Sequence, residues 1–453
     1  MSRELRIISE DRSIKRSDLL LTPGMDICQT DLPLDWYQEE FKPYAEEYLA
    51  LPDRRPETVL PWMDRYVLPA VNHFGDQMLL LAHFYMGGEI VKMVERYGGQ
   101  IADSYKLALQ ATQHPKATLF VESAVHFMAE TIALLASDSQ EVFITNPKSG
   151  CTMETMAKED MVEPLFEELL GRYGDDLVVI AYMNTSGRLK AMAGRTNGAV
   201  CTSSNAHIIM EWALESGKRI LFLPDQHLGR NTAAKVGIPE DQHFLFPAGY
   251  EAASIRLDNF ANSELERLDN AKLILWGGFC GVHTVFKPDH VRYWQSRGYR
   301  TLVHPECPLS VVSIADGAGS TNYLWSEIEH AAPGAKLAIA TEGHFVRNAA
   351  ELGKKLGVEV VNVADIPHLH GQMGCGCATM SRNDPPHLVA LLDLLRLGKA
   401  PDLNRVLPGD VVDERTGWRE RMDGPSQAKL VRDARKSLEQ MIRLTENARK
   451  NAE

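Results

Sequence analysis

Through the middle of the chain, short apolar runs alternate with stretches of helical apolar spacing, the pattern of βαβ units and a parallel sheet. Each run ends in polar residues, and the endings recur in a fixed order. One set reads LLLAHFYM, QIADS, TLFVESAVHF and EVFITNPKSGC. A second reads LVVIAYMN, GAVCTSSNA, ILFLPDQHLG and LILWGGFC, and a third TLVHPEC, GAGSTN, LAIATEGH and VEVVNVADIPHLHGQMGCGC. Every set opens with two polar side chains at i and i+2: His83 and Tyr85, Tyr182 and Asn184, His304 and Glu306. Each continues to a serine at a strand end (Ser104, Ser203 or Ser204, Ser320) and closes on a cysteine (Cys151, Cys280, Cys377). Ligands of open α/β sheets bind outside the carboxyl ends of the strands, so function is expected at these positions. The predicted fold class is α/β, with three similar parallel-sheet α/β domains around a pseudo-threefold axis that points three cysteines at one centre.

The endings set the expected boundaries. Residues 71–151 form the first α/β unit, 152–280 the second with an insertion at about 239–270, and 281–397 the third. Residues 1–70 are an N-terminal extension whose Pro-rich segments, LPLDWYQEEFKPY and LPDRRPETVLPW, predict short helices packed on the outside. Residues 398–453 are a C-terminal helical extension. Its charges alternate in sign along SQAKLVRDARKSLEQMIRLTENARKN, which reads as a solvated helix or an oligomer contact.

Composition narrows the class. The 453 residues are 44% hydrophobic and 24% charged, ordinary for a globular protein. A net charge of −13 and a pI of about 5.6 argue against a nucleic-acid face while allowing a pocket for a small anionic substrate. The N-terminus MSRELRIISEDRSIKRSDLLL has no apolar core of a secretory signal, and no run approaches the ~18 apolar residues of a membrane span. The expectation is a cytoplasmic protein, without nucleic-acid or membrane partners, whose seven cysteines stay reduced.

Isolated cysteines are most often small buried hydrophobes. Cys151, Cys280 and Cys377 differ in standing beside glycine, which lets backbone approach a bulky ligand. Three thiolates are one short of a closed structural zinc site, and neither a CxxC…CxxC pattern nor the CxxxCxxC of radical enzymes is present. Three cysteines from distant loops fit a 4Fe–4S cluster with one iron left open. Spacing alone leaves both readings standing, and Cys375 competes with Cys377. Cys307 and Cys201 read as non-ligands and Cys28 as structural. Lone strand-end histidines are usually hydrogen-bonded structural residues, but their recurrence in equivalent places changes the balance. Glu306 suits a general base, and Tyr85 and Tyr182 suit proton donors. The hydroxyls of TSS and GST at helix N-termini suit carboxylate or phosphate. No Walker A motif or GxGxxG follows a strand.

The stretches VHFMAET (Val125 to Thr131), NPKSGC (Asn146 to Cys151), YMNTSGRLKA (Tyr182 to Ala191), CTSSNA (Cys201 to Ala206), LFLPDQHLGR (Leu221 to Arg230), WGGFCGVH (Trp276 to His283), HPEC (His304 to Cys307) and GST (Gly319 to Thr321) stand in order. Together they resemble the quinolinate synthase family over roughly residues 78 to 395. The resemblance implies three α/β domains around a central 4Fe–4S cluster, with Cys151, Cys280 and Cys377 as ligands. Cys377 is preferred over Cys375 because Met380 follows it at the family's spacing. It further implies condensation of iminoaspartate with dihydroxyacetone phosphate to quinolinate, an L-aspartate oxidase or dehydrogenase supplying the iminoaspartate. The expected substrate-binding residues are His83, Ser104, Tyr182, Asn184, Ser203, His304, Glu306, Ser320 and Thr321. Glu306, Tyr85, Tyr182 and His304 are the expected catalytic residues.

The chain departs from the family in reading HFYM for HNYQ and ADS for GDS, so Phe84 and Met86 replace polar residues. Two rivals keep the fold: another cluster-dependent hydro-lyase, and a non-catalytic iron–sulfur sensor. Retention of YxN, HxE and GST together disfavours the sensor, which needs no substrate pocket.

Overall fold

The computed structural model of the protein describes residues 31–367, 376–413 and 416–452. The chain divides into two compact units, Met1–Asp103 with Gly281–Pro401, and Ser104–Cys280 with Asp402–Glu453. The parallel strands in chain order are β1 (Met78–His83), β2 (Gln100–Ala102), β3 (Leu119–Ser123), β4 (Glu141–Ile144), β5 (Leu177–Tyr182), β6 (Ala199–Cys201) and β7 (Arg219–Leu223). They continue as β8 (His243–Phe246), β9 (Leu273–Trp276), β10 (Arg300–Val303), β11 (Gly317–Ala318), β12 (Lys336–Ala340) and β13 (Glu359–Asn362). The fold class is α/β. Strands such as LVVIAY and LILW are buried along their whole length, as continuous apolar runs must be when helices cover both faces of a parallel sheet.

In the first unit the sheet order is β11-β10-β12-β13, parallel throughout. Neighbouring residues of β10 serve opposite faces: Leu302 packs with Leu324, Ile339 and Phe345, and Val303 with Trp294, Ala340 and Val363. Strand β1 pairs with β2, setting His83 beside Ala102. In the N-terminal extension Leu34–Trp36 and Lys42–Leu49 are short helices, while the second Pro-rich segment opens a longer one than expected. Pro56–Phe74 is one 19-residue helix that carries Pro61 and Pro69 inside it. Each internal proline removes a helical hydrogen bond. The buried stripe of Val59, Trp62, Met63, Val67 and Ala70 offsets that loss by packing toward helix Pro385–Arg396. Tyr37 adds a hydrogen bond to Asp384 and lies on the His387 ring, centroids 4.7 Å apart.

In the second unit β3 pairs with β4, and a five-stranded parallel sheet runs β6-β5-β7-β9-β8. The stretch expected as an insertion supplies a strand of that sheet: β8 sets Phe246 opposite Trp276, and Phe246, Leu257 and Leu268 join the core. The C-terminal tail is likewise not a solvated helix. Helix Gly424–Ala452 buries Leu430, Ala434, Leu438 and Met441 and packs on helix Gly187–Arg195. A Cβ at Gly194 would sit 1.8 Å from the Asp433 carbonyl oxygen, so only glycine permits the approach. The alternating charges occupy the remaining faces. Among the described residues no helix is long and apolar enough to cross a membrane.

Glu122, on β3, is fully buried with no hydrogen-bond partner for either carboxyl oxygen among the described residues, and burial pushes its pKa up to about 8. Below the ordinary carboxylate range both folded and unfolded chains hold the proton. Between that range and pH 8 only the folded chain does, so stability falls as pH rises through this window. Glu122→Gln removes the dependence. Thermal melts at pH 5 and pH 8 should show the variant gaining on the wild type by roughly 4 kcal/mol at the higher pH; parallel melting curves at both would count against a buried neutral acid.

Candidate functional site

In the first unit two loops repeat one local geometry. At the end of β1 the Tyr85 N–H donates to His83 Nδ1 at 3.2 Å, and just past β10 the Glu306 N–H donates to His304 Nδ1 at 3.4 Å. The spacing of two residues folds each backbone back onto the imidazole. With Nδ1 accepting, the neutral ring carries its proton on Nε2. Both rings are neutral near pH 7. Burial pushes His83 down to about 4, against the pull of Glu342 and Glu306. It pushes His304 down to about 3, helped by neighbouring His283. Each loop therefore presents an uncharged Nε2–H donor.

These loops meet through residues not singled out from the sequence. His283 Nδ1 lies 2.8 Å from a Glu306 carboxylate oxygen, and its Nε2 lies 3.1 Å from Thr341 Oγ1. The Thr341 hydroxyl is also 2.9 Å from the Tyr85 hydroxyl. The His283 and His304 rings stack, centroids 4.5 Å apart. Glu306, His283, Thr341 and Tyr85 thus form one hydrogen-bonded chain. Next in sequence, Glu342 accepts from the Phe345 N–H and the Cys377 N–H, both at 2.9 Å, which ties the Cys377 loop to the end of β12. Ser320 caps helix Thr321–Glu329, its oxygen accepting from the Tyr323 N–H, and both Ser320 and Thr321 are buried. Thr341 follows β12 within LAIATEGH, and His283 lies three residues past Cys280. Both obey the strand-end rule and were overlooked because neither falls in an i, i+2 pair.

Phe84 and Met86 explain the first family departure. Phe84 stacks on Trp325 at 5.3 Å and meets Phe345 edge-on at 6.0 Å. Met86 is buried, its carbonyl accepting from Asn348 Nδ2 at 3.1 Å. Both serve the core.

In the second unit, Tyr182 ends β5 and its carbonyl accepts from Thr185 Oγ1 at 2.8 Å. Two residues on, Asn184 Oδ1 is buried with no hydrogen-bond partner among the described residues. After β6, the Thr202 N–H donates to Asn205 Oδ1 at 2.6 Å and so closes a tight turn. Within it Ser204 Oγ is held by Thr202 Oγ1 at 2.8 Å, and Ser203 is half-buried. Ser104 opens helix Ser104–Ala108.

Cys151 follows β4, at the start of helix Thr152–Thr155. Its loop is held by the His126 N–H on the Ser149 carbonyl at 2.8 Å. Cys280 follows β9 through Gly277 and Gly278, where a Cβ would lie 2.7 Å from the Phe246 oxygen and 2.5 Å from the Pro224 oxygen. Cys377 follows β13. All three cysteines are partly exposed, whereas Cys201 and Cys307 are fully buried. Cys28 and Cys375 lie outside the described residues.

Comparison with known proteins identifies the family. Residues 71–399 match the family model described as NadA, quinolinate synthetase A protein. The quinolinate synthase of Corynebacterium glutamicum is 36% identical over 358 residues, 78% of this chain and 86% of that protein. The quinolinate synthase of Acidobacterium capsulatum is 37% identical over 377 residues, 82% of this chain and 92% of that protein. That of Bacillus velezensis is 36% identical over 76% of this chain and 88% of its own. On this breadth of similarity, together with strand ends that carry His83, Tyr85, His304 and Glu306 in ordered loops, the chain is an enzyme that belongs to the quinolinate synthetase A family.

Proposed function

We propose that the protein is a cytoplasmic quinolinate synthase of de novo NAD biosynthesis, condensing iminoaspartate with dihydroxyacetone phosphate to quinolinate with loss of phosphate and water. The observation that carries this reading is the hydrogen-bonded chain Glu306–His283–Thr341–Tyr85, in a protein of the quinolinate synthetase A family. It joins an acid/base candidate to a proton-donor candidate. The iminoaspartate would come from an L-aspartate oxidase or dehydrogenase.

The family implies an iron–sulfur cofactor, and the chemistry of the donors fits one. Iron–sulfur clusters take thiolates. Cys151, Cys280 and Cys377 are partly exposed, whereas Cys201 and Cys307 are fully buried, so these three are the accessible thiols among the described residues. These three would hold a 4Fe–4S cluster of a pseudo-threefold arrangement. A cluster so bound supplies Lewis acidity at the iron that lacks a cysteine.

The chain's own side chains do the rest. The neutral Nε2–H groups of His83 and His304 donate to substrate oxygens without fixing a charge beside them. Ser320, Thr321 and Ser104 offer hydroxyls at helix starts, where anions are favoured. In the second unit Asn184 brings an unpaired buried oxygen, suited to an iminoaspartate N–H. The engagement of Ser204 with Thr202 favours Ser203 over Ser204 for binding phosphate or carboxylate. Glu306 moves protons as general acid/base, positioned by His283, with Tyr85 and Tyr182 as the hydroxyl donors.

Anaerobically purified protein given L-aspartate, an L-aspartate oxidase and dihydroxyacetone phosphate should form quinolinate, measured chromatographically. A fully iron-loaded protein that makes none would redirect the reading to another hydro-lyase or a sensor. Single Ala substitutions of Cys151, Cys280 and Cys377 should each strip iron, while Cys201→Ala, Cys307→Ala and Cys375→Ala retain it. Iron retained in Cys377→Ala but lost in Cys375→Ala reverses that assignment.

For the acid/base chain, Glu306→Gln should lower kcat about 10²-fold with iron content unchanged. Thr341→Val should lower it roughly tenfold, Thr341→Ser should restore it, and combining Thr341→Val with Tyr85→Phe should cost less than the product of the two. Full additivity would mean that Thr341 and Tyr85 act separately.

A further inference from the structure

The family match ends at residue 399, and the C-terminal helix Gly424–Ala452 lies beyond it. Its buried stripe carries two hydroxyls among the apolar residues, Ser437 and Thr445. Ser437 Oγ donates to the Lys190 carbonyl at 2.7 Å. The ammonium of Lys190 reaches back to the Thr185 carbonyl, and Thr185 Oγ1 holds the Tyr182 carbonyl at 2.8 Å. Thr445 Oγ1 accepts from Asn205 Nδ2 at 2.9 Å and donates to the Met441 carbonyl at 2.7 Å. The other end of the Asn205 amide accepts from the Thr202 N–H at 2.6 Å and from Thr202 Oγ1 at 3.1 Å. Asn205 is 1% exposed, so Nδ2 has no access to water and needs the threonine. The two loops reached by this helix are those bearing Tyr182 and Asn184, and Ser203.

We propose that the C-terminal helix is a positioning element for anion binding, and that Thr445, through the Asn205 amide, fixes the Thr202–Ser204 turn so that Ser203 meets the phosphate of dihydroxyacetone phosphate. The proposal rests on the reading of Ser203 as a substrate contact. Removing the Thr445 hydroxyl leaves Asn205 Nδ2 buried and unpaired, and the amide is then free to rotate and release the Thr202 N–H. The turn loosens where it should present a hydroxyl, a change that weakens binding and leaves the proton-transfer groups in place.

The test varies dihydroxyacetone phosphate at saturating iminoaspartate, in the iron-loaded enzyme. Thr445→Val should raise KM for dihydroxyacetone phosphate about 5–10-fold, the factor expected for one buried hydrogen bond, with kcat within about twofold and iron content unchanged. Thr445→Ser should restore KM. Ser203→Ala should raise KM, and Thr445→Val added to it should raise KM no further. Should Thr445→Val prove poorly folded in a thermal melt, Thr445→Ala gives the same comparison. An unchanged KM in Thr445→Val or Thr445→Ala beside a raised KM in Ser203→Ala overturns the positioning role and spares Ser203. An unchanged KM in Ser203→Ala removes Ser203 as a contact, and the proposal falls with it.

Discussion

A parallel strand runs out of ladder partners at its carboxyl end, and the backbone groups left there must still be satisfied. Much of the architecture follows from how this chain meets that demand. The imidazoles of His83 and His304 accept the N–H groups two residues on. Asn362 Oδ1 does the same for Ala364 at 2.9 Å, Asn205 Oδ1 for Thr202, and Thr185 Oγ1 covers the Tyr182 carbonyl. Asn404, from the segment beyond the family match, donates to the carbonyls of Ile144 and Thr145 at the end of β4. The polar residues that recur at strand ends are therefore structural caps first. Their positions are rigid because the backbone needs them, and a rigid polar group with one atom to spare is what a binding site requires.

The sequence made the strands legible because parallel strands buried on both faces are unbroken apolar runs, and the polar endings made the strand ends legible. Contacts between distant side chains were not legible. His283 lay inside a quoted motif and Thr341 at a quoted ending, yet only the fold brings one onto the other's hydroxyl. Charge alternation in the last helix hid a buried stripe, since long charged side chains flank Ala434 and Leu438 without covering them. Strand β8 was missed for a similar reason: it sits among Pro and charged residues, and only pairing with β9 makes it an edge strand.

Phe84 and Met86 show how a departure from a family pattern reads differently once packing is known. Phe84, in the turn after β1, joins the aromatic cluster with Trp325 and Phe345, and Tyr85 meets the same Phe345 ring edge-on at 6.4 Å. A larger apolar group there alters the wall behind His83 and Tyr85 while leaving their own donors in place.

The Thr341 hydroxyl has one proton and two neighbours, and this makes the chain from Glu306 to Tyr85 directional. When His283 is neutral and its Nδ1–H faces the Glu306 carboxylate, Nε2 is an acceptor. Thr341 must then donate to His283, and its oxygen receives the proton of Tyr85. The position of one proton on the His283 ring thus sets the polarity of every bond between it and Tyr85, and a tautomer at one end is read out as the orientation of a hydroxyl at the other.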